Sequence, residues 1–243
     1  MKLHSIELAN GCNLKCDYCP NKSKVRYPKG ILKLEHFLKA MEVVEKDSIN
    51  NCIGLSVCGE PLLHPQACEY TKIARKYVRK VEMHTNGTLL TADLFKKLID
   101  SGLTKLEVSI HTEKSYGGFK RAYDINEGMG KPMEVLGQVL SCNEHKVLGW
   151  ASKDKHYPLL VHATHNWNWD KPHKSISCRF INERMACMKW DGKIVACCFD
   201  FNGDAVIGHI DNFAKIEHET EYRLCRTCSP SWATYQNDSW RWR

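Results

Sequence analysis

Apolar residues in the first two thirds of the chain alternate between short continuous runs and stretches with helical spacing. The runs predict strands at about residues 4–9, 53–57, 80–84 and 106–110, with further candidates at 147–151 and 159–163. The helically spaced stretches predict helices over 34–44, over 66–78, between Thr91 and Gly102, and from Pro132 onward. Thr91 is a favourable N-cap and Gly102 a favourable C-terminal stop for the third of these helices.

Strands that alternate with helices indicate an α/β fold built on a parallel sheet with right-handed crossovers. Functional sites in such sheets lie at the carboxyl ends of the strands. Several polar or thiol-bearing residues fall at or just beyond these predicted ends: the loop 12–20, Glu60, Asn86, His111 and His162. We therefore expect one site at this edge of the sheet.

The pattern changes after residue 165. Two alternating segments within residues 185–198, joined by Asp191-Gly192, predict a β-hairpin. A helix is predicted near residues 211–221. We expect two units, a parallel α/β domain over residues 1–165 and a small hairpin-and-helix domain with a tail over residues 166–243.

Composition narrows the class of protein. Hydrophobic residues make up 43% of the chain, which is enough for a core, and no apolar stretch approaches the length of a membrane span. With no signal peptide before the first strand, we expect a cytoplasmic protein that has no membrane partner. Thirteen cysteines in such a chain indicate metal or redox chemistry rather than disulfide bonds. The formal charge of +7 is compatible with a nucleic acid or an acidic peptide, but the basic residues are scattered, and a solvated surface is the simpler explanation.

Three cysteines follow the first apolar run in a C-x3-C-x2-C spacing: Cys12, Cys16 and Cys19. Thiolates this close in sequence can hold three corners of a cubane iron–sulfur cluster and leave the fourth iron open. An open metal position is where a substrate or cofactor binds in catalytic sites. The alternative is a zinc knuckle, although zinc favours paired C-x2-C units with four closed ligands.

This stretch resembles the cluster loop of the radical S-adenosylmethionine (radical SAM) superfamily, with Tyr18 as the aromatic residue before the last cysteine. Cys58-Gly59-Glu60-Pro61 resembles the superfamily's Gly-Gly-Glu-Pro strand end, with a cysteine in place of the first glycine. The resemblance implies a partial (β/α)5–6 barrel that binds S-adenosylmethionine and a [4Fe–4S] cluster. Residues implied in cofactor binding are Tyr18, Gly59, Glu60, Asn86, Ser109 and His111.

The second half resembles the SPASM or twitch appendage of that superfamily, more closely the shorter twitch form. The resemblance implies a second, auxiliary [4Fe–4S] cluster with four thiolate ligands: Cys178, Cys197, Cys225 and Cys228. Cys198 competes with Cys197 for its position. A structural zinc site built from the same four cysteines is the alternative.

The resemblance implies an enzyme that cleaves S-adenosylmethionine reductively to a 5′-deoxyadenosyl radical. That radical would remove a hydrogen atom from a C–H bond of a peptide or small metabolite, and epimerisation, dehydrogenation and cross-linking are all open outcomes. A ferredoxin or flavodoxin would supply the electron. In an epimerase, a thiol such as Cys187 or Cys198 would return a hydrogen atom, although buried cysteines are often only small core residues.

Two other functions stay open at this stage. Modification of a nucleic-acid base is suggested by the positive charge and by the tail Ser239-Trp-Arg-Trp-Arg243. A zinc-bound interaction module is the non-enzymatic alternative. Histidines and tryptophans near strand ends are candidates for substrate contact or for satisfied interior positions: His84, His111, His162, His165, Trp167 and Trp169.

Overall fold

The computed structural model describes residues 1–16, 19, 27–47, 49–140, 157, 159–162, 178–219, 222, 223 and 225. Several sequence predictions lie outside these residues: Tyr18, the candidate strand 147–151, His165, Trp167, Trp169, Cys228 and the C-terminal tail. The eleven cysteines that the structure describes are free of disulfide bonds.

The first part of the chain alternates strands and helices. The strands are β1 (Lys2–Ile6), β2 (Cys52–Gly54), β3 (Lys80–Thr85), β4 (Lys105–Ser109), β5 (Glu134–Leu140) and β6 (Leu159–His162). The helices are α1 (Leu34–Asp47), α2 (Ala67–Ala74), α3 (Ala92–Asp100) and α4 (Glu113–Gly128). The six strands pair in parallel in their sequence order, which confirms the predicted parallel α/β sheet.

The C-terminal part continues the same sheet. It contains α5 (Arg179–Asn182), β7 (Met185–Met188), β8 (Lys193–Val195), β9 (Val206–His209) and a 3-10 helix, Ile210–Lys215. β7 pairs in parallel with β1, and β8 and β9 follow in antiparallel order. The predicted hairpin is confirmed, and its turn residue Gly192 has a φ of +85°, a left-handed conformation that glycine adopts without strain. Within the described residues the sheet therefore has nine strands.

The two faces of the sheet differ in polarity. Val81 and Met83 of β3 are fully buried in the main core, together with side chains of the helices such as Phe95 and Phe119. Strand residues alternate between faces, so Glu82 and His84 point to the opposite, inner face. A parallel sheet with its helices on one face and a polar inner face is the architecture of a partial barrel.

The predicted helix from Pro132 is wrong, because residues 134–140 form β5. Val135 and Val139 are spaced as on a helix, but β-branched residues also suit a strand, and pairing with β4 and β6 decides the outcome. α4 was not predicted from the sequence. Its segment contains Gly117 and Gly118 and many polar residues, so its apolar stripe is weak.

Other differences concern the ends of elements. The first strand ends at Ile6 rather than near residue 9, the second at Gly54 rather than 57, and α2 at Ala74 rather than 78. The helix predicted near 211–221 is the 3-10 helix that ends at Lys215. The capping prediction for α3 is confirmed, since the Thr91 hydroxyl accepts from the Leu94 backbone N–H at 3.1 Å and Gly102 has a φ of +84°. None of the helices described is long and apolar enough to cross a membrane.

Candidate active site

The loop that carries the first three cysteines leaves the carboxyl end of β1. The Asn10 N–H donates to the Gly30 carbonyl at 3.0 Å, and the Cys19 N–H donates to the Cys16 carbonyl at 3.1 Å. The Leu14 N–H points at the Cys12 sulfur at 3.4 Å. Cys12, Cys16 and Cys19 are each half-buried, so the loop presents its thiols at a surface rather than inside the core.

The segment that follows β2 packs directly against the base of this loop. A side-chain carbon on Gly59 would lie 2.0 Å from the Ala9 carbonyl oxygen and 2.7 Å from that of Gly11. The Glu60 N–H donates to the Gly11 carbonyl at 2.7 Å. Only a residue without a side chain permits this approach of two backbones. Gly59 therefore sets the close contact between this segment and the cysteine loop, and its role toward a cofactor remains a prediction.

The Glu60 side chain joins the ends of β2 and β3. It is 2% exposed. One carboxylate oxygen accepts from the Leu62 N–H at 3.0 Å and from the Thr85 hydroxyl at 2.7 Å, and the other accepts from the Asn86 N–H at 2.7 Å. Burial raises the pKa of Glu60, while the hydrogen bonds from Asn86, Thr85 and Leu62 oppose that change. Glu60 thus fixes the position of Asn86.

Asn86 connects this carboxylate to the cysteine loop. Its amide nitrogen donates to the Asn13 side-chain oxygen at 2.8 Å and lies 3.7 Å from the Cys12 sulfur. Its amide oxygen accepts from the Thr88 N–H at 3.0 Å and from the Thr88 hydroxyl at 2.6 Å. The structure therefore brings together three predicted site residues, Glu60, Asn86 and Cys12. Asn13, Thr85 and Thr88 complete the network. Sequence reasoning assigned them no role, because their contacts join segments that are distant in the chain.

Ser109 and His111 lie at the end of β4, as predicted. Ser109 is the last residue of that strand and is aligned with Gln138 of β5. Burial lowers the pKa of His111 to about 4, so its imidazole is neutral at neutral pH. His162 ends β6. The roles of Ser109 and His111 toward a cofactor remain predictions.

A further polar group lies beneath the loop. Glu7 accepts from the Asn10 amide at 2.9 Å, from the Cys58 N–H at 3.3 Å and from the Lys189 ammonium at 3.0 Å. Both side chains of the Glu7–Lys189 pair are fully buried. Burial raises the pKa of the Cys58 thiol. The only sequence signal for this group was a glutamate inside an apolar run.

The segments that carry the second set of cysteines pack on one another. A small core cluster of Ala196, Ala205 and Tyr222 contacts Ile181 and Cys225. Ile181 follows Cys178 by three residues, and Ala196 directly precedes Cys197. The predicted ligand segments thus meet, apart from Cys228, which lies outside the described residues.

Cys197 and Cys198 have different surroundings. The Phe199 N–H points at the Cys197 sulfur at 3.4 Å. A hydrogen bond from the Cys198 thiol lowers the pKa of Cys197 and raises that of Cys198, and burial of Cys198 raises its pKa further. Cys187 lies in β7 between Ser5 and Val195 and is fully buried. Roles for Cys187 and Cys198 as hydrogen-atom donors remain predictions.

Comparison with known proteins identifies the class of enzyme. The sequence profile of the Radical SAM superfamily matches residues 6–135, which is more than half of the 243 residues. The chain therefore belongs to the Radical SAM superfamily. Members of this superfamily are enzymes that use S-adenosylmethionine and a [4Fe–4S] cluster. Membership therefore disfavours a zinc site at the first cysteine triplet.

Two curated relatives and one solved structure illustrate the similarity. The AdoMet-dependent heme synthase of Methanosarcina barkeri is 33% identical over 131 residues, 51% of this chain and 36% of the synthase. The chain therefore spans about a third of that relative's length. The S-adenosyl-L-methionine-dependent 2-deoxy-scyllo-inosamine dehydrogenase of Niallia circulans is 23% identical over 243 residues, 92% of this chain and 91% of the dehydrogenase. BtrN in complex with AdoMet and 2-DOIA has a similar fold, with a TM-score of 0.61 at 20% identity over 96% of this chain and 84% of BtrN.

The residues of the loop fit the cluster of the family. Among the described residues, no three Cys, His, Asp or Glu side chains converge to hold a single metal ion. A cubane cluster does not require such convergence, because each iron takes its own thiolate. Three half-buried thiols on one loop, with the Leu14 N–H directed at the Cys12 sulfur, are a donor set for three of the four irons. Cys12, Cys16 and Cys19 would hold that cluster.

Proposed function

We propose that this chain is a radical SAM dehydrogenase that oxidises a secondary alcohol of a small hydroxylated metabolite to a ketone. In this proposal an auxiliary iron–sulfur cluster, held by Cys178, Cys197, Cys225 and Cys228, accepts the electron released by the oxidation. The observation that carries the proposal is the parallel pairing of β7 with β1, because β7 lies between Cys178 and Cys197 in the chain and β1 leads into the first cysteine loop.

Similarity over nearly the whole chain supports the reaction type. The dehydrogenase of Niallia circulans aligns with 92% of this chain. The heme synthase aligns with only about half of the chain. It therefore gives less support for the reaction type. A dehydrogenase needs an electron acceptor. A cluster whose four irons each carry a thiolate has no open position for a substrate, so it is suited to electron transfer.

The surroundings of the candidate thiols favour dehydrogenation over epimerisation. A thiol that returns a hydrogen atom must reach the substrate radical. Cys187 is fully buried between two neighbouring strands, and Cys198 is a half-buried residue directly beside the proposed cluster ligand Cys197. Both positions suit structural or cluster-supporting roles better than a role as hydrogen-atom donor.

The residues of this chain would act as follows. When bound, the cofactor and its cluster supply a 5′-deoxyadenosyl radical, which removes a hydrogen atom from a C–H bond. Cys12, Cys16 and Cys19 hold the cluster. Glu60 and Asn86 fix the end of β3 beside Cys12 through their hydrogen bonds, so that the cofactor meets a preorganised surface.

The test is anaerobic reconstitution of the full chain, followed by iron analysis and product analysis. The probes are 2-deoxy-scyllo-inosamine and a panel of cyclic and linear polyols, with dithionite or a flavodoxin as the electron source. We expect about eight irons per chain, falling to about four in Cys178→Ala. Cys12→Ala should abolish 5′-deoxyadenosine, whereas Cys68→Ala, which changes a thiol of α2 outside both sets, should retain it.

Three outcomes would count against the proposal. A content of about four irons in the unmodified chain would show that it holds no auxiliary cluster. Solvent deuterium at a carbon of a recovered epimer would indicate epimerisation. Substrate binding that weakens steeply with salt would indicate a nucleic acid.

A further inference from the structure

A histidine–glutamate pair lies on the inner face of the sheet, outside the network around Glu60. His84 Nδ1 is 3.0 Å from a carboxylate oxygen of Glu107. The two residues are directly opposite each other on β3 and β4. The His84 side chain is 51% exposed, whereas that of Glu107 is 4% exposed. The pair therefore combines an accessible imidazole with a buried carboxylate.

The buried carboxylate has other partners that balance its charge. The Lys105 ammonium lies 2.6 Å from Glu107, and the Gln138 amide also donates to Glu107. Burial alone would raise the pKa of Glu107, but hydrogen bonds and charges from His84 and Lys105 lower it to about 2. Lys105 therefore supplies a positive charge at Glu107 in addition to the contact with His84.

This arrangement fixes the orientation of the imidazole. A carboxylate that accepts a hydrogen bond from Nδ1–H leaves Nε2 as the basic nitrogen, which is the arrangement of histidine in many general-base sites. The His84 backbone N–H also donates to the Ser56 hydroxyl on the neighbouring segment at 3.1 Å. Both the backbone and the ring of His84 are therefore held in place.

The pair lies close to the cofactor network along the strand. His84 precedes Asn86, which touches Cys12, by two residues, a distance of about 7 Å along an extended chain. Its own neighbour Thr85 donates to Glu60. A substrate that contacts His84 would therefore lie next to the cofactor site.

The inner face around His84 is polar. Charged or thiol groups that face the pair from the same and neighbouring strands are Glu82, Lys105 and Cys52. Ser109 continues the same face of β4 beyond Glu107 and is aligned with Gln138. Hydroxyl, amide, ammonium and carboxylate groups in one row suit a substrate with several hydroxyl or amino groups.

We propose that His84, oriented by Glu107, accepts the hydroxyl proton of the substrate when the alcohol is oxidised; this inference rests on the dehydrogenase function proposed above. The carbon-bound hydrogen atom leaves the substrate in 5′-deoxyadenosine. The hydroxyl hydrogen leaves as a proton on His84 Nε2, and the remaining electron passes to an iron–sulfur cluster as the carbon–oxygen double bond forms. His84 is the catalytic residue in this step, and Glu107 is a positioning residue.

The test compares two products of the reconstituted full chain with 2-deoxy-scyllo-inosamine and the polyol panel as probes. In His84→Gln, we expect 5′-deoxyadenosine to form within about twofold of the unmodified level, because hydrogen-atom abstraction does not need the base. Ketone formation should fall at least about a hundredfold, the usual contribution of a general base. A substrate-centred radical should accumulate in the electron paramagnetic resonance spectrum.

Two further measurements separate catalysis from structure. Added imidazole should restore ketone formation in His84→Ala. Glu107→Gln should lower kcat for the ketone, while probe binding measured by calorimetry stays within about threefold, because its role is to orient His84. The matched control is His209→Gln, since His209 Nδ1 lies 3.0 Å from the Asp211 carboxylate but outside the inner face, and it should change neither product.

The outcomes distinguish this inference from the proposed function. If His84→Gln forms both ketone and 5′-deoxyadenosine at the level of the unmodified chain, the role of His84 is overturned. The proposed dehydrogenase function would still stand. Loss of both products in His84→Gln, without rescue by imidazole, would also overturn it, because the residue would then be structural. Failure of the unmodified chain to make ketone from any probe would overturn both proposals.

Discussion

At the scale of single residues, Gly59 shows how an absent side chain positions the site. Its Cα lies so close to the loop base that a methyl group would meet the Ala9 carbonyl oxygen at 2.0 Å. Two backbones cannot relax as a flexible side chain can. The cysteine loop and the end of β2 are therefore coupled through this one residue.

We predict that Gly59→Ala lowers the free energy of unfolding by about 3 kcal/mol or more, and that it reduces the iron bound at the first cluster. Chemical denaturation and iron analysis check this. The control is Gly117→Ala in the middle of α4, where a methyl group meets nothing within 4 Å. That change should stabilise the protein by about 1 kcal/mol. Equal stability of the two variants would contradict the packing argument.

Glu107 gives a pH-dependent prediction. Its pKa is lowered from 4.5 to about 2. Between these two pH values the carboxylate is charged in the folded state and protonated in the unfolded state. The resulting stabilisation, about 3 kcal/mol, is present above pH 4.5 and is lost as the pH falls towards 2. Glu107→Gln should therefore reduce the slope of unfolding free energy against pH in this window.

The measurement is urea denaturation at a series of pH values. Glu42→Gln, on the exposed side of α1, is the control for a general loss of one carboxylate. A slope for Glu107→Gln that equals that of the unmodified chain would show that the Glu107 carboxylate is not stabilised by Lys105 and His84.

At the scale of elements, α3 shows a helix whose limits follow from local chemistry. Thr91 accepts from the Leu94 N–H at 3.1 Å, which satisfies one of the donors at the helix start. We predict that Thr91→Ala lowers the free energy of unfolding by about 1 kcal/mol, measured by chemical denaturation. Thr91→Ser keeps the hydroxyl and should lose much less. A loss of equal size in both variants would assign the effect to the Thr91 methyl group instead.

β5 and α4 show the limit of local pattern. Val135, Leu136, Val139 and Leu140 have the spacing of a helix face, yet β5 pairs with β4 over five residues, from Lys105–Glu134 to Ser109–Gln138. Hydrogen bonding between strands that are distant in sequence outweighs the local preference. In α4, packing of Phe119 and Ala122 into the core compensates for two glycines of low helix propensity.

At the scale of the whole molecule, β7 and a buried ion pair join the C-terminal segment to the cysteine loop. The Glu7 N–H donates to the Met188 carbonyl at 2.8 Å, and the Lys189 ammonium lies 4.8 Å from the centre of the Tyr27 ring. The Tyr27 hydroxyl donates to the Asp191 carboxylate at 2.8 Å. A buried pair adds little net stability over apolar residues, but removing one partner leaves an uncompensated charge.

We predict that Lys189→Met lowers the free energy of unfolding by about 3–5 kcal/mol and weakens iron retention, because Glu7 also holds Asn10 and the Cys58 backbone. The double variant Glu7→Gln/Lys189→Met should recover a large part of the stability. The control is Lys39→Met, which breaks the exposed pair with Asp211 and should leave unfolding nearly unchanged. Additive losses in the double variant would mean that the two side chains do not interact.

Much of the site was predictable because its residues stand in motifs of fixed spacing. Cys12, Cys16 and Cys19 are close in sequence, and Glu60 and Asn86 follow apolar runs that end in turns. The contact of Asn86 with Asn13 and Cys12 was not predictable, since it spans more than seventy residues. His84 and Glu107 lie within strands, where alternation indicates a face but not the partner across the sheet.

The sequence alone determined the class of chemistry and the order of the elements as far as β4, because thiol spacing and hydrophobic periodicity act over a few residues. It also determined the caps of α3 and the turn at Gly192. Tertiary structure alone decided that residues 134–140 are a strand, that β7 extends the sheet beside β1, and that Lys189 lies under the cysteine loop. These features depend on long-range pairing and on the burial of charge, which arise only when distant segments meet.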